Sequence, residues 1–127
     1  MKVIFYPVKT TDAKLTKIVE VATIHFTKGE PILFFVPDEA AWEFLDKLFW
    51  STPADSFLPH PSKFIQIRHT FNPAYTTVFN LSPTSLLQPT IKTLYELEDH
   101  TSAEKLKASQ DRYHTYRTHA LQIIVEA

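Results

Sequence analysis

The chain of 127 residues contains no cysteine. Disulfide bonds, thiolate zinc sites and cysteine nucleophiles are therefore excluded, and the composition fits a reducing compartment. No stretch approaches the ~18 continuous apolar residues of a membrane span, and the apolar start, residues 1–8, is too short for a signal peptide. We therefore expect a soluble, cytoplasmic protein that makes no membrane contact.

Glycine is nearly absent as well, since Gly29 is the single example. Loops that cradle phosphates need several glycines so that backbone N–H groups can approach the anion. One glycine cannot supply a GxGxxG or a Walker loop, so nucleotide binding by these routes is excluded and no cofactor is expected. The net charge is −1, so the chain has no excess of basic residues, and direct nucleic-acid binding is not expected either.

What is present is enough for one globular domain, which we place at residues 1–127. Strand-type runs alternate with helical periodicity, and this order predicts an α/β fold. Strands are predicted at residues 2–7, 32–36, 64–67, 76–81, 93–97 and 121–125. The expected architecture is a three-layer α/β/α sandwich around a mostly parallel sheet, Rossmann-like but without a nucleotide site.

Capping residues predict where the helices begin and end. Thr11 or Asp12 would start a helix that stops at Gly29, and Asp38 would start the second. Thr101 and Glu104 have capping-box spacing and predict a third helix that runs to about residue 119. Between the fourth and fifth strands, residues 82–92 are expected to form a loop and a short helix.

Signals for catalysis or metal binding are weak. No GxSxG elbow frames a serine, and the acidic run of Glu96, Glu98 and Asp99 is expected to be solvated. His114 and His119 would lie about 140° apart around a helix, which is a poor spacing for two metal ligands. We therefore expect no catalytic residues and no metal site.

The segment from Leu45 to His60 combines features that a plain connector would not need. Helical spacing of apolar residues stops at Trp50, and prolines at positions 53 and 59 then enforce a loop. The segment carries Trp50, Phe57, Leu58 and His60, which form a plausible docking surface for a partner; the alternative is that Trp50 and Phe57 close over the core. His60 ends the segment and could hold the loop in shape or contact a partner.

The third predicted helix carries a possible receptor for an acidic peptide with an apolar end. Its candidate stripe has i, i+3, i+4 and i+7 spacing and comprises Gln110, Tyr113, His114 and Arg117. An arginine beside aromatic surface suits such a peptide, because the guanidinium can bind a carboxylate. The alternative is that Leu106, Tyr113 and Ala120 pack on the sheet, and both arrangements can coexist.

The segment from Leu45 to His60 resembles the chi subunit of the bacterial DNA polymerase III clamp loader. Family positions matched in this segment are Leu45, Asp46, Trp50, Pro53, Ser56, Phe57, Pro59 and His60. Further matches follow in order at residues 80–82 and 95–98, and at Arg112, Tyr113, Tyr116 and Arg117. The resemblance covers roughly the whole chain.

The resemblance implies a non-catalytic replisome adaptor that links the clamp loader, through the psi subunit, to single-stranded DNA-binding protein. The implied psi-type surface comprises Trp50, Phe57, Leu58, Pro59 and His60. The implied site for the acidic C-terminal tail of single-stranded DNA-binding protein comprises Gln110, Tyr113, His114 and Arg117. Gln110 and His114 stand where the family usually has basic side chains, so tail binding would be reduced, pH-dependent or lost.

Two other functions remain open from the sequence. The chain could be a small α/β enzyme or ligand-binding domain with an unusual site. It could also be a chi-like adaptor whose psi-type surface binds a repair helicase.

Overall fold

The structure is a computed structural model that describes residues 1–51, 64–119 and 121–126. Six strands and three helices lie in these ranges. The strands are β1 (Lys2–Val8), β2 (Ile32–Phe35), β3 (Ile65–Arg68), β4 (Thr77–Asn80), β5 (Thr93–Asp99) and β6 (Gln122–Val125). The helices are α1 (Thr11–Lys28), α2 (Glu39–Ser51) and α3 (Ala103–Thr118). No helix of the described ranges is both long and apolar enough to cross a bilayer.

The six strands form one sheet in the order β3-β2-β4-β5-β1-β6. Every strand pairing is parallel, and the longest aligns Lys2 with Thr93 through Val8 with Asp99. Parallel strands need crossover connections, and α1, α2 and α3 supply three of them, while irregular segments join β3 to β4 and β4 to β5. The predicted α/β class is therefore confirmed, and the strand predicted at residues 121–125 is β6, at one edge of the sheet.

Alternate strand residues divide the core between the two faces of the sheet. On one face, Phe34 and Phe79 pack with apolar residues of α1 and α2. On the other face, Val3, Phe5 and Leu94 pack with Tyr116 of α3. The helices thus cover both faces, which makes the three layers of the sandwich.

The helix starts differ slightly from the predictions. Thr10, rather than Thr11 or Asp12, caps α1, and its hydroxyl accepts a hydrogen bond from the Ala13 N–H at 3.0 Å. Ser102, rather than Thr101, caps α3 by accepting from Lys105. Asp38 caps α2 as predicted, because its Oδ1 accepts from the Ala41 N–H at 2.9 Å.

The predicted short helix within residues 82–92 is wrong, since this connection is irregular throughout. Its backbone is instead held by polar side chains at the end of β4. Asn80 donates to the Thr84 carbonyl at 2.8 Å and accepts from the Ser82 N–H at 3.0 Å. Leu86 and Ile91 then bury their side chains against the α3 face of the sheet.

Candidate partner-binding sites

A buried polar cluster fixes how α3 lies on the sheet. Glu96 of β5 is fully buried, and its Oε1 accepts from Nε of Arg112 at 3.0 Å. Its Oε2 accepts from Nδ2 of Asn80 at 2.8 Å and from the hydroxyl of Tyr116. We name these four residues, Asn80, Glu96, Arg112 and Tyr116, the Glu96 cluster. The expectation that the acidic run of β5 is solvated is therefore wrong for Glu96.

Asp99, the last residue of β5, is also buried and corrects the same expectation. Its carboxylate accepts from Nζ of Lys14 at 2.7 Å and from the N–H and hydroxyl of Thr101. Burial on its own would raise the pKa of Asp99, but these hydrogen bonds outweigh burial and lower it. Asp99 thereby ties the start of α1 to the start of α3.

Burial dominates the electrostatics of the Glu96 cluster. It raises the pKa of Glu96 to about 7, although the charge of Arg112 and the hydrogen bonds to the carboxylate act in the opposite direction. Burial and the nearby carboxylate also raise the pKa of Tyr116 far above its ordinary value. Both arginine nitrogens beyond Nε donate as well, to the carbonyls of Pro83 and Leu97. Arg112 is therefore a structural arginine and not a free cation.

With Arg112 and Tyr116 turned inward, the predicted stripe faces outward. Gln110, His114 and Arg117 are exposed on α3, and Tyr113 is half-buried. The ring of Tyr113 meets the ring of Phe5 edge-on, with centroids 5.5 Å apart. The structure therefore brings the four stripe residues together on one helix face, as the spacing predicts.

A cavity of about 320 Å³ adjoins this stripe. Gln110 and Tyr113 form one wall, and Phe5 and Val125 from β1 and β6 form another. Glu98 also lines the cavity, and its carboxylate lies 2.5 Å from Nε2 of His100. The cavity offers aromatic and aliphatic surface beside Gln110 and Tyr113, whereas His114 and Arg117 of the stripe do not line it.

The alternative packing of α3 is only partly what the structure shows. Leu106 and Tyr113 are half-buried, and residue 120 lies outside the described residues. The buried face is instead formed by Ser109, Arg112 and Tyr116. Polar side chains thus fill positions where periodicity alone would call for apolar ones.

Trp50 is the one member of the predicted psi-type surface that the structure describes. It lies in the last turn of α2, with 49% of its surface exposed. Nε1 of Trp42 donates to the Ile67 carbonyl at 2.9 Å, which anchors α2 on β3. The remaining members, Phe57, Leu58, Pro59 and His60, lie outside the described residues.

A second cavity, which the sequence did not indicate, lies where β2, β4 and β5 end. We call it the carboxyl-edge cleft, and its volume is about 430 Å³. Leu15, Ala41 and Leu81 contribute apolar surface, and Phe44 and Lys105 also line it. The starts of α1, α2 and α3 all converge here, because each of these helices follows a strand that ends at this edge.

Comparison with known proteins gives one family match. A family model described as DNA polymerase III chi subunit, HolC, matches residues 1–123. The chain belongs to this chi family. A search of curated proteins found no match. Membership supports a role in the replisome as a polymerase accessory subunit.

Within this chi-family chain, sequence reasoning missed the Glu96 cluster and the carboxyl-edge cleft. The cluster had a usable signal, because β5 was predicted to be a strand of a sheet covered on both faces. Most side chains of a central strand in such a sheet are buried, and these can include polar ones. The cleft had no such signal, since its walls come from residues far apart in the chain.

Proposed function

We propose that this chi-family protein is a non-catalytic, cytoplasmic adaptor of the replisome, built as one domain. It joins the psi subunit of the clamp loader to the acidic C-terminal tail of single-stranded DNA-binding protein, and it does not bind nucleic acid directly. The observation that carries the proposal is the α3 stripe: exposed His114 and Arg117 lie on the same helix face as a half-buried tyrosine that lines a cavity together with Phe5 and Val125.

The cavity and the stripe divide the recognition of an acidic tail between them. An apolar terminal side chain would enter the cavity against Phe5, Tyr113 and Val125. Carboxylates would then lie along Arg117 and the protonated imidazole of His114. Gln110 contributes neutral hydrogen-bond donors. Glu98, which also lines the cavity, opposes an acidic ligand.

The second surface would receive psi at the end of α2. An exposed tryptophan suits an interface anchor, because aromatic side chains carry much of the binding energy in protein contacts. Phe57, Leu58, Pro59 and His60 follow Trp50 in the sequence and match the family pattern. We assign them to the same surface.

Calorimetry with an Asp-rich peptide that ends in a free, apolar carboxy-terminal residue tests the tail site. We expect tighter binding at pH 5.5 than at pH 8, by roughly tenfold, because an acidic ligand favours the protonated form of His114. Added salt should weaken binding, since exposed charges are screened. Equal affinity at both pH values would remove His114 from the site, and no binding at either value would contradict the tail site itself.

Two variants locate the binding. Arg117→Ala should lower the affinity for the peptide by about tenfold, since it removes the fixed positive charge of the stripe. Lys28→Ala removes an exposed positive charge at the far end of α1 and should leave the affinity unchanged. Equal losses in the two variants would indicate non-specific charge attraction rather than a site on α3.

Co-purification with a psi subunit tests the other surface. Trp50→Ala and Phe57→Ala should each leave the melting temperature nearly unchanged and reduce psi binding by about 2 kcal/mol or more. Ile24→Ala is the matched control, because it removes a comparably exposed apolar side chain on α1. If Phe57→Ala unfolds the protein, Phe57 belongs to the core. Retention of a helicase instead of psi would favour the repair-adaptor alternative.

A further inference from the structure

The carboxyl-edge cleft is separate from both surfaces of the proposed function. Trp50 lies at the end of α2, whereas the cleft is lined by Ala41 and Phe44 near its start. The α3 stripe adjoins the cavity beside β6, while the cleft lies where β2, β4 and β5 end. In open parallel sheets this edge is where ligands bind. At about 430 Å³, the cleft is also large enough to hold a buried side chain or a small molecule.

The polar groups of the cleft are already committed to partners within the protein. Asn80 and Arg112 bond to Glu96, and Asp99 is held by Lys14. Throughout the described ranges, no buried side-chain nitrogen or oxygen lacks a hydrogen-bond partner. A polar metabolite would therefore find few uncommitted groups to bind.

The helix starts at this edge are committed as well. Thr10, Asp38 and Ser102 each accept a hydrogen bond from an N–H of the first turn of their helix. These caps reduce the number of backbone donors that a phosphate could use. Phosphate-bearing ligands are thus disfavoured in the cleft.

Two features remain available to a ligand. The ring of Phe44 is 56% exposed and extends the apolar wall onto the surface. Lys105 is exposed and lines the same cleft, and its ammonium group forms no ion pair with any described residue. Apolar surface with one uncommitted cation complements an apolar side chain that has a carboxylate beside it.

We propose that the carboxyl-edge cleft binds an internal acidic segment of a protein partner. One aromatic or aliphatic side chain of the segment enters between α1, α2 and β4 and packs against Phe44. A neighbouring aspartate or glutamate pairs with Lys105. The ligand is a peptide rather than a small molecule, because the cleft opens onto an exposed aromatic ring and its own polar groups are occupied. The protein would then carry a third docking site, independent of the tail and psi surfaces.

Nuclear magnetic resonance titration of ¹⁵N-labelled protein tests this proposal. The probe is a nonapeptide of aspartate and glutamate with one central phenylalanine, acetylated and amidated so that it has no terminal carboxylate. We expect its amide shift changes to centre on Ala41, Phe44, Leu81 and Lys105. A peptide with serine in place of the phenylalanine should bind at least about tenfold more weakly.

Variants of the protein separate the cleft from general attraction. Phe44→Ser and Lys105→Glu should each lower the affinity for the phenylalanine peptide at least about fivefold. Ala108→Phe places a ring in the cleft and should abolish binding without removing a native charge or hydrogen bond. Ile24→Ser and Lys28→Glu make matched changes elsewhere on the surface and should leave affinity within about twofold. Thermal unfolding of each variant confirms that it folds.

Three outcomes would overturn the proposal. Shift changes centred on Tyr113 and Arg117 would place the peptide on the α3 stripe, which would support the tail site and not the cleft. Unchanged affinity in the Phe44, Lys105 and Ala108 variants would show that the cleft is not used. Shift changes in the cleft with ATP or NAD, and none with the peptide, would identify a small-molecule site.

Discussion

Three donor side chains converge on the carboxylate of Glu96 from two different elements. Asn80 lies at the end of β4, while Arg112 and Tyr116 lie one turn apart on α3. All three donate to the two carboxylate oxygens, so the cluster is complementary to an acceptor and to nothing else. One buried residue thus sets which face of α3 meets the sheet and which face is exposed.

Glu96→Gln should therefore destabilise the protein by about 2–4 kcal/mol. A glutamine amide nitrogen would face hydrogen-bond donors, and Arg112 would lose its charge partner. Urea unfolding at pH 8 measures the change in the free energy of unfolding. Glu104→Gln, at an exposed position in the first turn of α3, should change it by less than about 0.5 kcal/mol. A loss no larger than that of the control would show that the cluster contributes little.

Lys14→Met should lower the free energy of unfolding by about 1 kcal/mol near pH 7 and by less in acid. The pKa of Asp99 is lower in the folded protein than in the unfolded chain. Its carboxylate therefore stabilises the fold fully at pH values above the pKa of the unfolded chain. That stabilisation is lost as the pH falls through the pKa of Asp99 in the folded protein. The difference in free energy of unfolding between the wild type and the variant should then become smaller. Urea unfolding at pH 7 and pH 3 tests this. Lys9→Met, at an exposed position before α1, should lack this pH-dependent loss.

Among single residues, the sequence predicted the exposed members of the α3 stripe but not the fate of the acids on β5. Glu96 and Asp99 were predicted to be solvated because charged side chains without a partner are usually exposed. Their burial depends on Arg112 and Lys14, which approach from other elements. Such pairing is invisible to a local pattern.

At the level of elements, the ends of helices can be predicted from the residues next to them. Gly29 ends α1 with φ 66°, in the left-handed region that glycine adopts without strain. Its N–H donates to the Phe26 carbonyl at 3.1 Å, which satisfies a free carbonyl of the last turn. The predicted stop is confirmed because the signal and its cause lie within a few residues of each other.

Gly29→Ala should destabilise the protein by about 1 kcal/mol. The added Cβ would lie 3.6 Å from the Phe64 ring, which is ordinary contact, so the penalty comes from the backbone. Thermal or urea unfolding measures the change, and Lys28→Ala provides a control one residue earlier. A neutral or stabilising result for Gly29→Ala would mean that the left-handed conformation is not maintained.

The third helix was predicted for its length but not for its packing. Its buried positions are Ser109, Arg112 and Tyr116, which give no apolar stripe for periodicity to detect. Capping chemistry located its start to within one residue. Its orientation depends on Glu96, so only the assembled sheet determines it.

For the whole molecule, the alternation of strands and helices was sufficient to predict the class and the layers. It was not sufficient to predict the strand order, because that order depends on pairings between distant segments such as Lys2 with Thr93. The carboxyl-edge cleft was missed for the same reason, since three strand ends meet there only after the sheet is assembled.

Nucleotides should not bind despite the parallel sheet. The single glycine ends α1 rather than lining a phosphate loop, and side chains cap the starts of all three described helices. Differential scanning fluorimetry with millimolar ATP or NAD should shift the melting temperature by less than about 1 °C. The acidic nonapeptide provides the comparison ligand, and a reproducible rise with either nucleotide would contradict the expectation.

The position of β1 constrains how the protein is made. Among the described strands β1 is synthesised first, yet its neighbours in the sheet are β5 and β6, the last two described strands. Its apolar residues Val3 and Phe5 therefore have no strand partner until translation has passed residue 93. During that interval the nascent chain contains an apolar strand without its native neighbours, which makes it prone to aggregate. Chains truncated before residue 93 should accumulate as insoluble fragments, because β1 then lacks both of its neighbours in the sheet.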